Sequence, residues 1–218
     1  MKHYLSRISW LLIFMTAFVA KAGRGDLPPT PTCILFKINR SINKIEALKE
    51  RKRFDDVKLV QQYDEDIAHA IVADFKEHFT FCKVYFFNSL QLHDVIDKHW
   101  DKVLFFDQDM TNPVKPDISL FGNVWIVENN FPPPPNYKIG SDPQNPELSK
   151  ESRSYANAND EFGIVSYNDK YELIEHKICY NRSRLKKAKV PDKYPKEFTY
   201  TYIGAEHYNS ILKKYYKP

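Results

Sequence analysis

Asp107 and Asp109 are the residues of this 218-residue chain best suited by type and spacing to do chemistry. They follow the apolar run Val103-Leu104-Phe105-Phe106, and Met110-Thr111 completes the phrase D-x-D-x-T. Such a run predicts a buried strand, and ligands of open α/β sheets gather beyond the carboxyl ends of strands. Two carboxylates at that position supply the oxygen ligands that a hard cation prefers. The plainer reading is a strand running into a polar turn, where Asp is favoured because its side chain hydrogen-bonds nearby backbone.

Other constellations are thinner. His93 with Asp97 and Glu65 with His69 are i, i+4 pairs that share a helix face, and His78 lies close to Cys82. A closed zinc site wants four ligands, or three and a water, so these pairs read as charged helix surface. Cys82, between Phe81 and Lys83 at the head of an apolar run, reads as an inert core thiol. Cys33, Cys82 and Cys179 permit one disulfide and leave one thiol over. If the strands beginning near Cys33 and Cys82 are parallel neighbours, a Cys33–Cys82 bridge is one arrangement, and three buried small hydrophobes are the other. Arg184, Lys186, Lys187 and Lys189 read as a solvated basic loop. Asn39-Arg40-Ser41 and Asn181-Arg182-Ser183 match the glycosylation sequon.

Residues Val103 to Thr111 resemble the first motif of haloacid dehalogenase-like phosphohydrolases. The resemblance implies that Asp107 attacks phosphorus, that Asp109 acts as acid and base, and that both help to hold magnesium. It would make Ile164-Val165-Ser166 the second, hydroxyl-bearing motif and Lys170 the phosphate-binding lysine. No later strand ends in the paired acids that complete such a metal site, and a strand and long helices precede the motif where that family usually starts. A magnesium-dependent phosphohydrolase using Asp107 and Asp109 is therefore the alternative expectation. A wider likeness rests on Asp74-Phe75-Lys76, on Phe79-Thr80-Phe81-Cys82-Lys83-Val84-Tyr85-Phe86-Phe87 and on the Tyr-rich C-terminus. In these the chain is similar to a group of uncharacterised exported bacterial proteins. That likeness implies a periplasmic or secreted address and no assigned activity.

The N-terminus points the same way. Lys2 and Arg7 precede an almost unbroken apolar run from Ile8 to Ala20, and Ala20-Lys21-Ala22 has the small-x-small spacing of a signal-peptidase site. The run is short of the ~20 apolar residues that span a bilayer, so residues 1–22 read as a cleaved signal peptide and no transmembrane segment is expected after cleavage. Removing Lys2, Arg7 and Lys21, with no acids, lowers the formal charge from +4 to +1. The basicity thus belongs largely to the leader, and nucleic acid is not an expected partner.

These residues must be positioned by a core, and 14 Tyr and 15 Phe supply the contact area for one. After an extended leader at 23–32, residues 33–218 read as a single α/β domain. Cys33 to Ile38 predicts a first strand. Ile42 to Arg53 and Asp55 to His78 predict a long helical hairpin, the second helix striped by Val60, Tyr63, Ile67, Ile71 and Phe75, with Asp64, Glu65 and Asp66 on its outer arc. Lys83 to Asn88 and Lys102 to Asp107 read as two strands joined by a helix over Gln91 to Trp100. This predicts a βαβ unit at 83–107 and a mixed, partly parallel sheet. Asn123 to Glu128 predicts a further strand. Residues 129–160, with Pro132 to Pro135 in a row, read as a long Pro/Asn-rich loop. Phe162 to Tyr167 and Tyr171 to Tyr180 predict a hairpin around Asn168-Asp169, Phe198 to Ile203 a strand, and Gly204 to Lys217 a C-terminal helix. The expected protein is exported and non-enzymatic, without a cofactor. It would bind an envelope or protein partner through its aromatic-rich surface or the 129–160 loop.

Overall fold

The computed structural model describes residues 27–107, 112–130, 163–174, 176, 180–181, 186–189 and 200–216. The predicted signal peptide and positions 131–160 of the predicted loop lie outside the described residues, as do Asp109 and Cys179.

In chain order the elements are β1 (Cys33–Ile38), α1 (Ile42–Glu50), α2 (Phe54–His78), β2 (Lys83–Asn88), α3 (Leu92–Ile96), β3 (Phe105–Phe106) and β4 (Pro113–Val114). They continue with β5 (Val124–Asn130), β6 (Gly163–Tyr167), β7 (Tyr180–Asn181), β8 (Lys186–Lys189), β9 (Tyr200–Ile203) and α4 (Ala205–Tyr215). Among the described residues seven strands form one mixed sheet in the order β4-β3-β2-β1-β5-β6-β7, and β8 and β9 make a separate pair. β1 is central and parallel to both β2 and β5. The outer pairings β2–β3, β3–β4, β5–β6 and β6–β7 are antiparallel. The expected α/β fold with a mixed, partly parallel sheet and a C-terminal helix is what the chain forms.

Because β1 and β5 are covered on both faces, their sequences are near-continuous apolar runs rather than alternating ones. One face carries Ile34, Phe36, Val84, Phe86, Trp125 and Ile164 under α2 and α4. The other carries Leu35, Tyr85, Phe87 and Ile126 under Val95 of α3, Val103 and Phe105, with Tyr167 and Tyr171 closing one side.

The βαβ unit expected at 83–107 is not formed: β3 runs antiparallel to β2, with Phe86 opposite Phe106. Length explains it. The five residues of α3 rise roughly 7.5 Å, whereas the six residues of β2 extend roughly 20 Å. A helix that short cannot carry the chain back to the start of a parallel neighbour, and at Lys98 the backbone turns with φ 60°. The parallel crossover occurs one unit earlier, from β1 through α1 and α2 to β2.

The buried stripe of α2 is Val57, Val60, Asp64, Ala68, Ile71 and Phe75, so Asp64 belongs to the inner face and not to the outer arc. It is buried because Ser41, which begins α1, donates to it through its backbone N–H and its hydroxyl, both at 2.8 Å. Ten residues on, the buried Asp74 accepts from the Gly204 and Ala205 N–H groups at 3.0 and 2.8 Å. Neither α1 nor α4 has a side-chain cap of its own. Helix N-termini leave backbone donors unmet, and α2 supplies both carboxylates that meet them. The basic run also differs from expectation: Lys186 to Lys189 is a strand paired with β9, whose Tyr/Thr-rich sequence favours pairing.

Candidate functional site

At its carboxyl end β1 carries Lys37, and at the same end of parallel β5 stands Glu128, one step beyond the Phe36–Val127 pair. Both are buried, Glu128 to 1% exposure. The Lys37 ammonium lies 2.6 Å from Glu128 Oε2. It also donates to the Tyr171 hydroxyl and sits 4.7 Å from the centre of that ring. Tyr171 donates in turn to Glu128 Oε1 at 2.7 Å. The Asn130 and Asn39 amides add donors at 3.1 and 3.2 Å. Burial alone would raise the Glu128 carboxyl, but the charge of Lys37 and the hydrogen bonds from Lys37, Tyr171 and Asn130 outweigh it and hold the group below its ordinary value. Burial and the neighbouring carboxylate push the Tyr171 phenol upward. A carboxylate with four donors is a structural anion rather than a base, and this triangle clamps the centre of the sheet.

A cleft opens at the carboxyl ends of β1 and β2, with a volume of about 260 Å³. Ile38, Phe86, Phe87 and Phe106 line it. Leu90 and Leu104, at 66% and 55% exposure, stand on its lip, although Leu104 reads in the sequence as a core strand residue. Its polar lining is Arg40, Asn88 and Gln91. Asn88 accepts from the Leu90 N–H at 3.0 Å, and Gln91 donates to the Lys102 carbonyl at 3.0 Å, so these two shape the loop. Arg40 pairs with Glu65 of α2 at 3.0 Å. The volume is just under the roughly 300–1,000 Å³ of drug-sized pockets, and an apolar lining with few polar groups is the usual make-up of a ligand site.

Asp107, Ser166 and Lys170, the described members of the set expected to act in phosphoryl transfer, do not converge. Asp107 is half-buried where the chain leaves β3, and because β3 is antiparallel this exit points toward the amino ends of β1 and β2. Ser166 is fully buried on β6 and shares a 2.9 Å hydrogen bond with the Tyr208 hydroxyl of α4. β3 and β6 are four positions apart in the sheet, roughly 19 Å at ~4.8 Å per strand. Lys170 is exposed in the turn after β6.

Among the described residues no three His, Cys, Asp or Glu side chains gather as a metal site. His93, Asp97, Glu65 and His69 are exposed, and His78 pairs with Asp74 at 3.1 Å. The Cys33–Cys82 bridge is absent, both being free thiols. Cys33 is in register with Lys83, so the one-residue offset turns the Cys82 sulfur to the opposite face, and the two thiols join different core layers. Burial pushes each thiol up to about 12.

Sheet, clamp and cleft define a layered α/β protein with a small apolar site at the carboxyl ends of its central strands. No family model, curated protein or solved structure matches the chain. Among the described residues no helix is long and apolar enough to cross a membrane.

Proposed function

We propose that this chain is an exported, non-enzymatic binding protein that holds a small, largely apolar ligand in the cleft between β2, β3 and the end of β1. The observation that carries the reading is the pairing of a hollow floored by the half-buried Phe106 with two solvent-exposed leucines, Leu90 and Leu104, on its lip. Exposed leucines are ordinary when scattered singly, but two flanking one apolar hollow make a surface that gains by being covered. Export is supported by the charged start, apolar run and small-x-small site of residues 1–22.

The test uses 1-naphthaleneacetamide, a neutral probe with one flat apolar ring system. A ligand that binds the folded state raises its melting temperature by mass action. The probe should raise that of the wild type and leave that of Leu104→Asp unmoved. An equal response from both proteins would remove the cleft as the binding site.

A further inference from the structure

Arg40 is the charged residue among those lining the cleft. Its side chain is 18% exposed, whereas its partner Glu65 is 50% exposed and reaches in from the solvent side of α2. An ion pair with one arm in water contributes little and exchanges readily. A guanidinium presents five N–H donors in a fork that matches a carboxylate with two parallel bonds, more than the single 3.0 Å contact Glu65 makes. Beside it lie the half-buried Phe106 and the exposed Leu90 and Leu104, which offer an apolar body somewhere to sit.

We propose that the ligands of this cleft are small carboxylic acids with an aromatic or aliphatic body. The acid group takes the Arg40 guanidinium from Glu65, and the body rests on Phe106, Leu90 and Leu104. The inference deepens the binding reading given above and rests on it. Glu65 acts as an internal competitor: it satisfies Arg40 in the empty site and swings into water when an acid enters. Neutral molecules of the same shape leave the Arg40–Glu65 pair in place and gain only the apolar contact.

The experiment is calorimetric titration of the purified chain with two probes of nearly equal shape, 1-naphthaleneacetate and 1-naphthaleneacetamide. A charge-assisted hydrogen bond is worth enough that the acid should bind about tenfold tighter than the amide. Arg40→Gln should bring the acid down to the affinity of the amide and leave the amide within about twofold of wild type. Glu65→Gln should tighten the acid several-fold and leave the amide unchanged, because it removes the competitor. Equal binding of acid and amide by the wild type, with both weakened in Leu104→Asp, would overturn the acid preference and keep the cleft. Equal losses of both probes in Arg40→Gln would also overturn it, since Arg40 would then only shape the site. Binding of neither probe up to about 1 mM would remove the cleft reading and the acid preference together.

Discussion

Lys37 shows how one residue can be both a defect in a pattern and a fastener. In the run Cys33 to Ile38 it is the one charge, and in Asn123 to Glu128 the one charge is Glu128. Two opposite charges at the ends of apolar strands mark a cross-strand pair once those strands are known to be parallel neighbours, so the signal was present in the sequence. The third member, Tyr171, was not readable, because it reaches the pair from a turn at φ 61° on the far side of β6. Replacing Lys37 by Met leaves a buried carboxylate without its cation and should cost about 3–5 kcal/mol of unfolding free energy in urea denaturation. The double variant Lys37→Met with Glu128→Leu should recover part of that loss, because an apolar pair needs no desolvation of charge, the remainder being the Tyr171 hydroxyl's loss of both partners. Failure of the double variant to recover would mean that the hydrogen bonds of Glu128, rather than the ion pair, hold the strands. The same residue sets an acid limit. The folded-state value of Glu128 lies below its unfolded one, so its contribution is complete above the ordinary carboxylate range of about 4.3 and is lost as pH falls through the lower folded value. Urea midpoints measured downward from pH 7 should therefore fall less steeply for Glu128→Gln than for the wild type.

At the scale of elements, α2 organises its neighbours with carboxylates as well as with its apolar stripe. Asp64 and Asp74 are ten residues apart, and each meets the open N-terminal donors of a different helix. In the sequence Asp64 reads as an outer-arc acid, since nothing local tells a carboxylate facing water from one facing another helix's end. Equal apolar runs at Lys83 to Asn88 and Lys102 to Asp107 misled in a related way. They suggested equal strands, yet only Phe105 and Phe106 of the second pair, because the short α3 returns the chain in the opposite direction. Asp74→Ala should cost about 1–2 kcal/mol through loss of the cap. Asp74→Asn should cost less, because its amide oxygen can still accept from the Gly204 and Ala205 N–H groups. Hydrogen exchange is the discriminating readout. The amides of Ala205 to Tyr208 should lose protection in Asp74→Ala while those of β1 keep theirs, and uniform loss across both would make Asp74 a general core residue instead.

For the molecule as a whole, the sheet is one wall shared by two cores, and this decides how it comes apart. β1, β2 and β5 send alternate side chains into each layer, Ile34 and Phe36 to one, Cys33 and Leu35 to the other. Neither layer can loosen without undoing strands the other needs, so unfolding should be one cooperative transition. The cleft is a property of the same scale. Residues 38–40, 86–91 and 104–106 meet only because β1 is parallel to β2 and β3 is not, which no local pattern records. Tryptophan placement allows a direct check of the shared wall. Trp125 is buried in the layer under α2 and α4, and Trp100 packs in the other layer, 4.9 Å from Phe121. In a chain carrying Trp10→Phe, the variants Trp100→Phe and Trp125→Phe each leave a single emitter, one per layer. Each variant shifts the midpoint by its own lost packing, so fluorescence is compared within a variant against the far-ultraviolet circular dichroism of that same variant. Coincident curves in both variants are expected. A fluorescence transition that precedes the loss of secondary structure in the Trp100-only protein would show the α3 layer parting first, and the clamp of Lys37, Glu128 and Tyr171 would then belong to a separately folding unit.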